Sequence, residues 1–339
     1  MIDSSLLQQA RQLGSEGKYQ QAAYLYEQAI EVQPEVKTYY WYLGLMLLLQ
    51  GREEEATTTW LFATLEGTPK QIEEWTRELV EILDREAKLL ANNENSQALA
   101  WLVRGHIREL QPTNLDNLLS LITLSVNLDK FSGQELIEWG IVELLRDGSL
   151  EKVDNKKLLN TLRSILKNPP VVDPIIDFTQ ASLAYVENPS SFINKILPDL
   201  IELAYSLRQT YLATALLEIC HQADPSKTEI LRHLASLYQT GVNYIRGIEV
   251  AQECYESSQN LPDKIFANHL RLRGFLSAGT YWTEAYHALE EQALLLWDLV
   301  NNYPSAELPH ATIARLTSSV YFFPYLKDLP TENRKIFNS

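Results

Sequence analysis

Residues 17–34, GKYQQAAYLYEQAIEVQP, and residues 51–69, GREEEATTTWLFATLEGTP, carry one pattern twice. Gly17, Ala22, Tyr26 and Ala29 recur 34 positions later as Gly51, Ala56, Trp60 and Ala63. Pro34 closes the first copy, and Pro69 closes the second one place late. Each copy reads as a pair of antiparallel helices. In the second, Tyr40, Leu43, Gly44 and Leu47 put an apolar stripe on the first helix. Gly44 has no Cβ and admits a close partner. Gly17 and Gly51 fall at the turn, where a positive φ costs glycine little. Ala22 and Ala56 mark the helix crossing, and Tyr26 and Trp60 fill the gap to the next pair. Pro34 and Pro69 are expected to stop the second helix of each pair. Glu53 stands where the first copy has Tyr19, so the second turn should be less tightly packed.

A period of 34 with Gly, small, aromatic and small residues in that order resembles the tetratricopeptide (TPR) repeat. The resemblance implies an all-α fold, a TPR-like right-handed superhelix (an α-α solenoid) with divergent repeats. A single such pair cannot bury its apolar faces alone, so more helices must stack on the first two pairs. Composition agrees. The chain has 339 residues, of which 13 are glycine and 14 proline, well under the average combined usage of about 12%. Hydrophobic residues make up 45%.

The helical period persists after the clear repeats, and four regions are expected. Residues 1–70 hold the two repeats, and 71–168 hold divergent helical hairpins. Residues 169–305 hold divergent repeat-like helices, and 306–339 a terminal helix and an aromatic junction segment. Ile72 to Leu90 reads as one long helix, and Ser96 as the cap of a helix running to Arg108. Residues 114–128 and 133–146 read as a hairpin, and Asp154 as the cap of a helix to Leu166. Pro169, Pro170 and Pro174 mark the main break, because three prolines in six residues do not fit inside a helix. Beyond it the period returns. Ala213 and Gly247 are 34 apart, and so are Cys220 and Cys254.

The tail from Ser319 reads SVYFFPYLKDLPTENRKIFNS, with five aromatics between Tyr321 and Phe337. Phe322-Phe323-Pro324-Tyr325 with Asp328, Pro330, Glu332, Asn333 and Arg334 resembles the region before the catalytic domain in bacterial, chiefly cyanobacterial, SPINDLY-type O-linked N-acetylglucosamine transferase-like proteins. That resemblance implies a chain that continues past Ser339 into a glycosyltransferase domain, with Tyr321, Phe322, Phe323 and Tyr325 docking on it. No catalytic residue of that domain falls within these 339 residues, so the chain alone is read as no enzyme. The alternative is a free-standing adaptor or scaffold without catalytic activity.

The partner is expected to be a protein or peptide, or an intramolecular catalytic domain, held in a groove. By repeat geometry Arg11, Trp41, Tyr42 and Leu45 face it. The two-carboxylate clamp of chaperone-binding arrays is not matched, since Leu7, Arg11, Thr38 and Tyr42 occupy its places. The formal net charge of -15 disfavours binding to nucleic acid or to anionic membranes, which calls for an excess of Lys and Arg. The six histidines lack ligand spacing, so no metal is expected, and no cofactor motif is present. Cys220 and Cys254 read as small buried residues rather than a disulfide. With two cysteines, no signal-peptide pattern and no long apolar run, the reading is cytoplasmic.

Overall fold

The computed structural model describes residues 4–128, 133–146, 153–167, 169 and 172–302. Among the described residues there are sixteen α-helices and one short 3-10 turn, and no strand. The chain divides into two compact units, Met1–Tyr185 and Val186–Ser339. Each is a solenoid of helices packed mainly on their chain neighbours. The aromatic junction residues Tyr321, Phe322, Phe323 and Tyr325 lie outside the described residues.

The first unit opens with α1 (Ser4–Ser15), α2 (Tyr19–Val32), α3 (Lys37–Leu49) and α4 (Glu53–Thr64), each packed on the next. Both hairpin turns close in the same way. Gly17 and Gly51 adopt φ of 76° and 79°. The following amides, Lys18 N–H and Arg52 N–H, donate to Leu13 and Leu47 carbonyls at 2.9 and 3.0 Å. This is the Schellman cap, in which a left-handed residue lets the chain satisfy the last carbonyls of a helix. Ala22, Ala29, Ala56 and Ala63 are all buried at the crossings. The closest approach is at Gly44, where a Cβ would lie 2.2 Å from Trp60 Nε1. Trp60 Nε1 donates to the Trp41 carbonyl at 3.2 Å.

Pro69 plays a different part from the one the sequence implied. It is the first residue of α5 (Pro69–Ala91) rather than the end of α4. Thr68 caps that helix in a box with Gln71, and proline at the first helical position forfeits no hydrogen bond. After the turn at 94–96 comes α6 (Gln97–Leu110). Ser96 is its first flanking residue, but its side chain makes no capping bond. Arg104 follows Ala100 by four residues, as Tyr26 follows Ala22, so a cation occupies the aromatic slot of this hairpin. Arg104 is 3% exposed. Its Nη1 donates to Asp84 Oδ1 at 3.2 Å and to Asn117 Oδ1 at 3.0 Å. Burial raises the Asp84 pKa, but Lys88 and Arg104 outweigh it and hold the carboxyl below its ordinary value.

Then follow α7 (Leu115–Asn127), α8 (Gly133–Leu145), α9 (Asn155–Lys167) and α10 (Val172–Tyr185). The expected hairpin of 114–128 and 133–146 is α7 on α8, and α7 also receives α9. The Asp154 side chain accepts from Lys156 N–H at 2.9 Å and caps α9. Pro174 lies inside the first turn of α10, where backbone N–H groups have no intrahelical partner and proline fits. α10 packs on α8, so the compact units part at Tyr185, one helix beyond the proline cluster.

The second unit contains α11 (Pro189–Tyr205), α12 (Thr210–Ala223), α13 (Thr228–Thr240), α14 (Tyr244–Ser257), α15 (Leu261–Ala278) and α16 (Trp282–Asn302), each packed on the next. Gly247 stands in the slot of Ala22, and a Cβ there would lie 2.8 Å from Gln239 Cγ. Cys220 and Cys254 are free and buried, and burial pushes their thiols up to about 12 and about 11. Side-chain amides tie helix to helix. Gln239 Nε2 donates to the Leu270 carbonyl at 2.7 Å, and Asn268 Nδ2 donates to the Ala288 carbonyl at 2.7 Å.

One turn here repeats the Schellman cap without glycine. Asn243 N–H donates to the Tyr238 carbonyl at 2.8 Å, and Val242 has φ of 67°. Arg208, 34 residues earlier, has φ of 57°. A β-branched residue in this region is strained. Val242 is 67% exposed, so its side chain contributes little packing. Val242→Gly is therefore expected to stabilise the chain by about 1 kcal/mol, after the entropic cost of glycine. A denaturant melt checks this. An unchanged or lower midpoint would show that the turn carries no strain.

Candidate functional site

Helices α1, α2, α3 and α5 enclose a groove of about 680 Å³ in the first unit. Its floor is apolar, with Leu45, Met46 and Ile82. Its centre is a pair of stacked tyrosines. Tyr26 and Tyr42 have ring centroids 5.3 Å apart and planes 9° from parallel. The Arg11 guanidinium sits 5.6 Å from the Tyr42 ring centroid, a cation–π distance. From the other side Arg85 Nη2 donates to the Tyr42 hydroxyl at 2.6 Å. Two helices that are far apart in sequence thus deliver a guanidinium to one phenol.

The local electrostatics follow from burial. Tyr26 is 2% exposed, and burial, joined by the neighbouring Tyr42, drives its phenol well above the ordinary value. Burial also raises Tyr19, with the Glu86 charge adding to it. Glu86 itself is raised by burial, partly opposed by Arg85. Burial in the groove therefore favours the neutral forms of Tyr19, Tyr26 and Glu86. Glu16, at the rim, is already paired to Lys18 at 2.7 Å.

Arg11, Tyr42 and Leu45 line this groove. Trp41 does not. It is fully buried, and its carbonyl accepts from Trp60. Its place is the core between α3 and α4, because adjacent helical residues point about 100° apart and cannot share a face with Tyr42. Sequence reading missed Arg85, Glu86 and the groove side of Tyr26. The available signal was Arg85 lying midway between Ile82 and Leu89, two apolar residues one heptad apart on α5.

Other candidate chemistry is thin. Among the described residues no group of three His, Cys, Asp or Glu side chains is arranged to hold a metal ion. His106 is buried edge-on to Trp60, with centroids 5.6 Å apart. His221 Nε2 lies 2.9 Å from Glu253. Among the described residues no helix is long and apolar enough to cross a membrane.

No protein-family profile matches the chain, and no curated protein matches it. Among solved structures, the chain is similar to yeast Tom70, at 12% identity and a TM-score of 0.27. That match covers 77% of this chain and 59% of that one, so the chain spans less than two thirds of Tom70. The TPR domain of P58(IPK) matches at 13% identity and a TM-score of 0.26, over 96% of this chain and 99% of that one. A chain of the Naa15/Naa10 complex bound to HypK-THB matches at 12% identity and a TM-score of 0.22, over 93% and 55%. Likeness at this level says nothing about function.

Proposed function

We propose that this chain is a protein-interaction module that holds a polypeptide segment in the groove between α1, α3 and α5. One observation carries the reading. The groove has an apolar floor under a stacked tyrosine pair, with two arginines set around it, and peptide capture uses such aromatic and arginine anchors. It contains no nucleophile–base pair. The finer reading, from the tail motif alone, is that the module positions polypeptide partners for a glycosyltransferase domain following Ser339. The chain by itself then transfers no sugar. Turnover or tight binding of a nucleotide sugar by purified 1–339 would sink that reading, and a free-standing adaptor would lack such a domain altogether.

Site-resolved crosslinking tests the groove. Leu89 lines it and is 62% exposed, whereas Leu65, just past α4, is 72% exposed and does not line it. A benzoylphenylalanine introduced at position 89 of the full chain is expected to form polypeptide adducts in cells. Adding Tyr42→Ala should cut the yield several-fold, and the same probe at position 65 should give few adducts. Equal adducts from both positions, or none from position 89, would refute the groove as the binding surface.

A further inference from the structure

The groove's charges say what kind of segment it takes. Among the described residues most arginines already have a carboxylate. Arg52, Arg104, Arg232 and Arg271 lie 2.6, 3.2, 2.7 and 2.6 Å from Glu55, Asp84, Asp263 and Glu291. Arg11 and Arg85 are different. Among the described residues neither makes an ion pair, and each is held by Tyr42 instead. Both are exposed and line the groove. Among the described residues, two guanidiniums outside any ion pair thus flank Tyr42 in a chain whose formal net charge is -15. Two carboxylates line the same space. Glu16 is paired with Lys18 at 2.7 Å, and Glu86 is an electrostatic neighbour of Tyr19, Tyr26 and Arg85.

Resting on the reading of this groove as a peptide site, we infer that its occupant is an acidic segment, whose carboxylates pair with Arg11 and Arg85 on either side of Tyr42. Guanidinium and carboxylate make charge-assisted, often two-pronged hydrogen bonds. Glu86 opposes that binding as a like charge and so restricts it to segments with a carboxylate to spare. The rest of the surface repels an anion, which keeps the site selective.

The test is calorimetric titration of the full chain with three end-capped octapeptides, oligo-glutamate, oligo-glutamine and oligo-lysine. Oligo-glutamate should bind at one saturable site. Arg11→Gln and Arg85→Gln should each weaken it by about tenfold, as loss of a charged hydrogen bond does. Glu86→Gln should tighten it by about threefold, a gain that mere structural damage would not give. Circular dichroism should be unchanged in all three variants, whose side chains are exposed or half-buried. No binding of oligo-glutamate, binding indifferent to both arginines, or a preference for oligo-lysine overturns the inference. If crosslinking from position 89 succeeds in that event, the groove remains a peptide site for another class of segment. If the crosslinking fails as well, both readings fall.

Discussion

Trp41→Ala should destabilise the N-terminal hairpins by about 4 kcal/mol, the range for emptying a fully buried large aromatic site. Trp41 is 0% exposed and belongs to the core cluster that includes Leu45, Leu48, Trp60 and Leu83. Removing it leaves a cavity under both helices of the second pair, while the backbone carbonyl that accepts from Trp60 remains. Trp41→Phe should cost less than half as much. It keeps a ring, and it removes an indole N–H that is buried without a hydrogen-bond partner. Chemical denaturation followed by tryptophan fluorescence and far-ultraviolet dichroism reads both. Near-wild-type stability of Trp41→Ala, with peptide binding lost, would return this residue to the groove.

Gly44→Ala comes second, at about 3 kcal/mol. A single methyl group would meet Trp60 Nε1 at 2.2 Å, with Cε2 and Cδ1 at 2.6 and 2.7 Å. Those atoms belong to a rigid ring packed on Ala-lined crossings, so the whole indole must move. Overpacking of this kind costs about 1–3 kcal/mol. Displacing the indole also breaks its bond to the Trp41 carbonyl, adding about 1 kcal/mol. The control is Gly105→Ala, where an added Cβ meets nothing within 4 Å and alanine favours the helix. The pair should shift the unfolding midpoint in opposite directions. Equal small shifts would mean that α3 and α4 relax apart freely.

The turns and crossings of the first two hairpins were legible because glycine and alanine are the only residues their geometry accepts. The groove was half legible. Tyr39 to Leu49 is buried almost all round, so no polar residue marks which way α3 faces. A periodicity argument then cannot separate Trp41 from Tyr42. Arg85 was hidden for another reason. Ala100 follows Ala56 by 44 positions rather than 34, because α5 runs to 23 residues against 13 for α3. Sequence period breaks there while helix stacking continues, and alignment by repeat position stops one helix short of the residue that completes the site. In the second unit the same cap was masked by Val242, since nothing in a valine announces a left-handed turn.

Arg104 bears on how such a chain avoids assembling in the wrong order. Hairpins of one type present interchangeable greasy faces, and an early arrival could dock on whichever neighbour is free. The guanidinium in the aromatic slot of α6 keeps Asp84, on α5 of its own hairpin, in any order, but finds Asn117 only when α7 packs against it. A shuffled pile leaves the hydrogen bonds to Asn117 unmade, a cost of about 1–3 kcal/mol for a buried charged donor. The third hairpin therefore favours the polar face of α7 as its neighbour over a wholly apolar one.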